Sequence, residues 1–203
     1  MKKTILAALA ASVLATGASQ AAGFNGLYVG ADGAYSTLKS EGMTPELEGS
    51  NANFGIQLGY GTTVSGNFYL GAEIGLRNSI GDFGDKTSTG EINGVAYSEK
   101  FSAKTTTTKM FSILPGFVVS PNALIYARLG KGNADNEVTY TLNAPSINFS
   151  ETEKSTNNGD FTIYGLGLDY LMTKNLSIKA EANKISADDA NGTSLNVGLN
   201  YRF

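Results

Sequence analysis

The chain has 203 residues and contains no histidine, no cysteine and no tryptophan. Without imidazole or thiolate groups, His-based catalytic triads, cysteine nucleophiles, thiol redox pairs and the common zinc sites are excluded. No disulfide can form, so the fold must be closed by other means. We therefore expect no enzyme, no metal site and no cofactor.

Charge and long apolar runs are also scarce. Only 16% of the residues are charged, while 41% are hydrophobic and 25 are glycine. The mean hydropathy is -0.10, because apolar residues are spread along the chain and not gathered into segments of about 20. This composition argues against a helical membrane protein and against a disordered chain.

The first residues predict a secretory signal peptide. Lys2 and Lys3 precede an apolar stretch over residues 5–14, and Ser19-Gln20-Ala21 offers small residues at both cleavage positions. We expect cleavage after Ala21 or Ala22, which makes residues 1–21 the signal peptide and 22–203 the mature domain. Cleavage removes two lysines, so 13 basic residues remain against 18 acidic ones and the net charge is −5. Without a basic excess, nucleic acid is not an expected partner.

From residue 24 onward, apolar residues alternate with glycine and small polar residues at a period of two, which predicts an all-β protein. Each run is about ten residues long, the length that a tilted strand needs to cross a bilayer. The eight runs cover about residues 26–36, 52–62, 67–78, 106–119, 123–132, 160–171, 175–185 and 194–203.

The connections between these runs alternate strictly between short and long. Tight turns are predicted at 64–66, 120–122 and 173–175, whereas the polar segments 37–51, 79–105, 133–159 and 186–193 are longer. Such alternation is typical of an eight-stranded antiparallel up-and-down transmembrane β-barrel with both termini in the periplasm.

The two faces of the predicted strands differ in character. One face is apolar and uncharged in every run, as in Ile56, Leu58, Ile74 and Val197, and the other carries glycines and ionisable groups. Large residues on one face and glycines on the other are the reverse of a soluble core, so we expect the apolar face to meet lipid. A soluble lipocalin-like barrel, with the apolar face inside, is the alternative.

Aromatic residues lie at the ends of the apolar face, as the interfacial girdles of a membrane barrel require. One predicted girdle contains Tyr60, Phe68, Phe117, Tyr170, Tyr201 and Phe203, and the other contains Tyr35, Phe54, Phe111 and Tyr164.

The last nine residues alternate and end in phenylalanine. Leu199, Tyr201 and Phe203 resemble the C-terminal signal by which outer-membrane barrels are recognised for assembly. The mature chain resembles the eight-stranded transmembrane domain of the outer membrane protein A family and its small opacity- and adhesin-like relatives. The best matching segments are 68–75 (FYLGAEIG), 125–130 (IYARLG) and 165–170 (GLGLDY).

This resemblance implies an integral protein of a Gram-negative outer membrane with surface-exposed loops. The implied partners are the lipid bilayer, lipopolysaccharide and the outer-membrane barrel assembly machinery. Because the sequence ends after the eighth predicted strand, we expect no periplasmic peptidoglycan-binding domain, and that function is not carried over from full-length family members.

Ionisable side chains on the inward face are the nearest approach to a site. They are four acids and four bases: Asp32, Glu73, Asp169, Glu181, Arg77, Arg128, Lys179 and Arg202. Buried charges are costly unless paired, so the equal numbers predict a salt-bridge network that plugs the lumen, with Glu73 pairing with Arg128 or Lys179. The resemblance implies that lumenal acids on the third and sixth strands, here Glu73 and Asp169, face bases and can gate a small pore. At the position of the family's fourth-strand lysine this sequence has Leu114, whose uncharged side chain cannot take part in that gating exchange.

Two further features lie at strand and loop positions. Pro115 removes a ladder hydrogen bond from the fourth predicted strand, so we expect a bulge or local break there. Residues 133–159 predict a hairpin that extends past the membrane, and residues 92–109 can do likewise. A protruding edge of this kind can bind a host or neighbouring protein by strand addition.

Three interpretations of function follow. The first is a structural outer-membrane barrel with surface-exposed loops and a mostly plugged lumen. The alternatives are a narrow porin for ions or small solutes, and an adhesin that acts through its long loops.

Overall fold

The computed structural model describes residues 23–40, 48–80, 84–188 and 190–203, so the predicted signal peptide lies outside the described residues. Within these ranges the protein is almost entirely β-structure, and no helix there is long and apolar enough to span a membrane. A single 3-10 turn, Pro145–Ile147, joins two of the strands. The nine strands are β1 (Gly26–Ser40), β2 (Glu48–Ser65), β3 (Phe68–Ile80), β4 (Gly84–Ile92), β5 (Val95–Ser120), β6 (Ala123–Ala144), β7 (Phe149–Leu171), β8 (Leu176–Ala187) and β9 (Ala190–Arg202).

Eight of these strands form a closed antiparallel ring in the order β1, β2, β3, β5, β6, β7, β8, β9. The first and last strands close the ring, with pairs from Tyr28 opposite Arg202 to Ser40 opposite Ala190. Within the ring, closure pairs both edges of each strand and so removes exposed edges without a disulfide. The predicted eight-stranded up-and-down barrel is confirmed.

The two ends of the barrel differ in their connections. At one end, here called the turn end, β2–β3, β5–β6 and β7–β8 are joined within a few residues, and the described part of the chain begins and ends there. The opposite end, here called the loop end, holds the other connections. The connections alternate between the two ends of the barrel as predicted. The predicted lengths are wrong, because much of each segment expected as a long loop is strand and only two residues separate β8 from β9.

The strands are longer than the apolar alternation indicates. β5, β6 and β7 have 26, 22 and 23 residues, against the ten or so of each predicted run. Their pairing continues past the apolar band, because backbone hydrogen bonds between strands do not require apolar side chains. The hairpin expected within residues 133–159 is present, with Leu142 opposite Glu151 near its tip.

The ninth strand, β4, was not among the predicted runs. It pairs with β5 from Gly84 opposite Ala103 to Ile92 opposite Val95. Asn93 and Gly94 have φ values of 50° and 80°, the left-handed conformations that a two-residue hairpin turn of this kind requires. β4 and the outer parts of β5, β6 and β7 form a four-stranded sheet at the loop end, here called the protruding sheet (residues 84–105 and 135–160).

Pro115 interrupts the β5–β6 ladder without shifting it. Ile113 lies opposite Leu129 and Gly116 opposite Tyr126, so the register is the same on both sides of the gap. Of the two outcomes expected at Pro115, a bulge or a local break, the structure has the break. The register shifts in this strand lie instead between Thr105 and Thr107 and between Val118 and Ser120.

Side-chain exposure shows which face points outward. Ile56, Ile74 and Val197 are more than half exposed, whereas Glu73 and Arg128 are 5% and 1% exposed. The barrel therefore presents its apolar face outward and encloses its charged groups, which is the arrangement of a membrane barrel and not of a lipocalin-like one.

Candidate functional site in the barrel lumen

Arg128 on β6 is the centre of the lumenal charges. Its Nη2 donates to Glu73 Oε1 on β3 at 2.7 Å and to Glu181 Oε1 on β8 at 2.7 Å. Its Nε donates to Glu181 Oε2 at 3.2 Å, and its Nη1 donates to the Ser112 hydroxyl at 3.0 Å. One guanidinium therefore joins strands on opposite sides of the lumen.

Two tyrosines complete the coordination of these carboxylates. The Tyr28 hydroxyl donates to Glu73 Oε2 at 3.0 Å, and the Tyr126 hydroxyl donates to Glu181 Oε1 at 2.5 Å. Hydrogen bonds to ionised groups are stronger than those between neutral groups, so the tyrosines help to hold both carboxylates in place. Space for the Tyr28 ring comes from Gly59, because a Cβ there would overlap the ring.

Lys179 on β8 is shared among three carboxylates. Its Nζ lies 3.5 Å from Asp32, 3.8 Å from Glu73 and 3.7 Å from Glu181. Glu73 thus contacts both bases that the sequence offered as its partner, since it is also bonded to Arg128.

The remaining charges form one pair toward each end. Toward the loop end, Arg77 Nη2 donates to Asp32 Oδ2 at 2.8 Å. Toward the turn end, Arg202 Nη2 donates to Asp169 Oδ2 at 2.7 Å, and the Arg202 guanidinium lies 4.7 Å from the centroid of the Tyr28 ring. All eight charged side chains assigned to the inward face are therefore in ion pairs within the lumen.

Below these charges, the turn end of the lumen is filled by apolar and aromatic side chains. The cluster consists of Phe24, Tyr69, Leu114, Leu124, Tyr126 and Leu171, each at most 5% exposed. The cavity between the tyrosines and the neighbouring charges has a volume of about 10 Å³, the space of about one water molecule.

Phe24, Leu124 and Leu171 are lumenal residues that were not among the predicted inward groups. Leu124 and Leu171 have the same strand parity as Tyr126 and Asp169, so extending the alternation by one step at the strand ends would have identified them. Phe24 precedes β1 and has no such signal. Its backbone carbonyl accepts a hydrogen bond from Arg202 Nη1 at 3.1 Å.

The predicted girdle residues lie on the outer surface. On β2, β5 and β7, which carry residues of both girdles, apolar residues separate the two. Phe68 and Phe117 pack edge to face with ring centroids 5.5 Å apart, and Tyr201 and Phe203 do so at 5.3 Å. Leu199 and Tyr201, from the predicted assembly signal, are also exposed. The Phe203 amide donates to the Leu27 carbonyl at 3.0 Å, which holds the chain end against β1.

The protruding sheet has two strand edges with no hydrogen-bonded strand beside them in the described chain. β4 pairs with β5 alone, and β7 pairs with β8 only from Phe161 onward, so its residues 149–160 are paired on one side. On the sheet surface, Lys100 lies 2.6 Å from Asp85. Hydrogen bonds from Lys100 and Ser102 lower the pKa of Asp85, so this pair persists at neutral pH and is lost as the pH falls through that lowered pKa.

No group of three or more acidic side chains in the described ranges has the geometry to hold a metal ion.

Several solved structures of outer-membrane barrels resemble the chain. The attachment invasion locus protein Ail of Yersinia pestis is 15% identical, with a TM-score of 0.52, and the match covers 88% of this chain and 99% of Ail. Ail in complex with the heparin analogue sucrose octasulfate is 17% identical, with a TM-score of 0.48 and coverage of 88% and 99%. Neisserial surface protein A is 14% identical, with a TM-score of 0.43 and coverage of 88% and 98%.

None of the curated proteins compared with the chain matches it at a significant level. The first Ail structure supports the barrel fold, and at this level of identity it supports the fold alone. The family model described as the outer membrane protein beta-barrel domain matches residues 6–203. The protein therefore belongs to the outer membrane protein beta-barrel domain family and is a protein of the outer membrane.

Proposed function

We propose that the protein is a structural barrel whose lumen is closed by the charge network and by the apolar cluster at the turn end. The observation that carries this proposal is Arg128, which is 1% exposed and bonded to Glu73 and Glu181 across the lumen. An eight-stranded barrel has an interior just wide enough for side chains to fill. The cavity among the central charges has room for about one water molecule, which supports closure at this level of the barrel.

The proposal includes the orientation and the maturation of the chain. Residues 1–21 are removed as a signal peptide, both termini lie in the periplasm, and the loop end faces outward. The assembly machinery recognises Leu199, Tyr201 and Phe203, which lie at the barrel surface on the last strand. The partners in the membrane are the bilayer lipids, held at the two aromatic girdles, and lipopolysaccharide in the outer leaflet.

The closed lumen predicts that the wild-type protein does not conduct. In planar bilayers containing the purified, folded barrel, we expect the current to stay at the baseline of the protein-free membrane. The combined variant Glu73→Ala, Arg128→Ala and Glu181→Ala removes the side chains that cross the lumen. Adding Tyr69→Ala and Tyr126→Ala opens the apolar cluster at the turn end as well, and we expect only this larger variant to give discrete conductance steps. Steady conductance by the wild type would contradict the closed lumen and would support the narrow porin instead.

A second candidate function, binding of a host or neighbouring protein, rests on the protruding sheet. Its two unpaired edges can accept an added strand through backbone hydrogen bonds. Ail has been solved with a heparin analogue, but the protruding sheet here carries eight acidic residues and four lysines. The resulting net charge of −4 disfavours a sulfated polysaccharide, so the partner that fits this sheet is a protein strand.

Removal of the protruding sheet tests this second function. Residues 85–104 are replaced by a short Gly-Ser linker, and residues 137–156 by an Asn-Gly turn between the paired Asn136 and Asn157. We expect bacteria that display the wild type to bind epithelial cells above the empty-vector level, and the shortened variant to fall to that level. Heat-modifiable migration on a detergent gel checks that both barrels fold. Equal binding by the shortened variant and the wild type would reject the sheet as the binding element.

A further inference from the structure

Three lysines lie on the outer surface of the barrel at the edge of its apolar band. Lys109 is on β5, Lys131 on β6 and Lys184 on β8, and all three are exposed. They differ from the lumenal bases in orientation, since they have the strand parity of the outward residues.

The strand registers place these lysines next to the girdle at the loop end. Lys131 lies opposite Phe111 on β5, and Lys184 lies opposite Tyr164 on β7. Lys109 is the next outward residue after Phe111 on the same strand. Their ammonium groups therefore lie where the apolar band gives way to polar surface, and their methylene stems can follow that band.

Among the described residues, the lysines directly beside the girdle lie on one side of the barrel, whereas Lys39 on β1 is exposed one outward position beyond Thr37. The outward residues that follow the apolar band toward the loop end on β1, β2, β3 and β9 are Thr37, Ala52, Asn78 and Thr193, and none is charged. At the turn end, the outward residues beyond the girdle on β2, β5 and β7 are Thr62, Val119 and Met172, also uncharged. In a mature chain of net charge −5, three exposed lysines of the described residues therefore lie together beside the girdle of β5–β8.

Acidic neighbours neutralise little of this charge. Asp135 lies 3.7 Å from Lys109 on an exposed part of the surface, where such a pair is weak. Asp160 accepts a hydrogen bond from Asn133 at 2.9 Å. Within the described residues, Lys131 and Lys184 form no ion pair, so both remain open to an anionic group.

We propose that Lys109, Lys131 and Lys184 bind the phosphates of a phosphorylated glycolipid of the lipid A class. This inference rests on the proposed function, because it requires the loop end to face the outer leaflet. Lysine binds phosphate as a compact point charge. Lysines on the adjacent strands β5 and β6, with a third beyond β7 on β8, can hold a lipid with more than one phosphate. The acyl chains of the lipid then lie against Phe111, Leu129 and Tyr164, which are all exposed on the same side.

Native mass spectrometry of the detergent-purified, folded barrel tests the site with added diphosphoryl lipid A. A lysine near an anionic lipid contributes about fivefold in affinity, so the variant with Lys109, Lys131 and Lys184 all changed to Gln is expected to bind about a hundredfold more weakly. Changing the same three residues to Arg keeps the charge, and we expect affinity within about threefold of the wild type.

A matched control removes the same charge elsewhere. Changing Lys86, Lys104 and Lys154 to Gln takes three lysines from the protruding sheet, and we expect binding within about twofold of the wild type because these residues lie beyond the membrane edge. Suppose that the control loses as much affinity for lipid A as the variant with Lys109, Lys131 and Lys184 changed to Gln. The site would then be overturned, because the effect would come from net charge alone.

Two further measurements identify the lipid and separate the two proposals. Wild-type binding of phosphatidylglycerol as tight as that of lipid A would overturn the glycolipid and indicate general attraction of anionic lipids. Heat-modifiable migration of the same samples reports the barrel itself. If the wild type shows no folded form, the proposed function is contradicted. If the barrel folds but binds lipid A equally with and without the three lysines, only the proposed lipid site is contradicted.

Discussion

Replacing Arg128 with methionine is expected to lower the free energy of unfolding by about 3–5 kcal/mol. The substitution keeps an unbranched side chain in the lumen but removes the donor groups that Glu73 and Glu181 share. Lys179 is then the nearest base to both carboxylates, at 3.8 and 3.7 Å. Leaving two buried carboxylates with one more distant cation lowers the free energy of unfolding far more than breaking an exposed ion pair does. Urea unfolding in phosphatidylcholine vesicles, followed by heat-modifiable gel migration, measures the loss.

An exposed salt bridge of the same chain is the control. Lys154 pairs with Glu137 at 3.5 Å on the protruding sheet, and Lys154→Met is expected to cost less than about 1 kcal/mol. Adding Glu73→Gln and Glu181→Gln to Arg128→Met should recover part of the loss, because no unpaired charge then remains. A change below about 1 kcal/mol for Arg128→Met alone would show that the central network does not stabilise the barrel.

Replacing Leu166 with arginine is expected to cost about 2–4 kcal/mol when the barrel is folded in a bilayer. Leu166 is 67% exposed and lies on β7 between Tyr164 and Tyr170, which belong to the two girdles. A guanidinium at this depth must leave water or deform the membrane around it. On a soluble barrel the same exposed position would accept arginine at almost no cost, so this variant measures what the outer face contacts.

The control lies farther along the same strand. Thr152 is exposed on the part of β7 that belongs to the protruding sheet, and Thr152→Arg is expected to change stability by less than about 0.5 kcal/mol. Both variants are unfolded in urea from vesicles of the same lipid. If Leu166→Arg proved as mild as Thr152→Arg, the apolar face would not meet acyl chains.

The barrel could be predicted from the sequence because a strand has an exact side-chain period of two. Each run assigns its residues to one of two faces, and glycine on one face opposite leucine and isoleucine on the other distinguishes inside from outside. Tyr28, Tyr69 and Tyr126 are accordingly buried in the lumen, where the alternation places them. The predicted runs end where the apolar face ends. Strand pairing does not need apolar side chains, so β5, β6 and β7 continue well beyond those predicted limits.

The protruding sheet shows where this approach fails. Residues 84–92 have few apolar side chains, so no alternation marks β4, although Asn93-Gly94 is a hairpin turn signal. β4 is held to β5 by backbone hydrogen bonds, which do not depend on side-chain type. A polar strand with water on both faces shows no alternation of hydrophobic residues in the sequence. The same reason explains why the sequence predicts a hairpin within residues 133–159 but not that β6 and β7 continue into it without a break.

The sequence by itself determined that four acids and four bases face inward and that their charges balance, because these properties depend only on residue type and strand parity. Only the tertiary structure decided which acid meets which base. Arg128, Glu73 and Glu181 lie on three strands that do not pair with one another, so their meeting depends on the stagger of the strands around the closed ring. The tertiary structure likewise decided that Phe24, which precedes the first strand, contacts Arg202 at the end of the last strand. Distances across a lumen are set by closure of the barrel, and no local pattern along the chain contains that information.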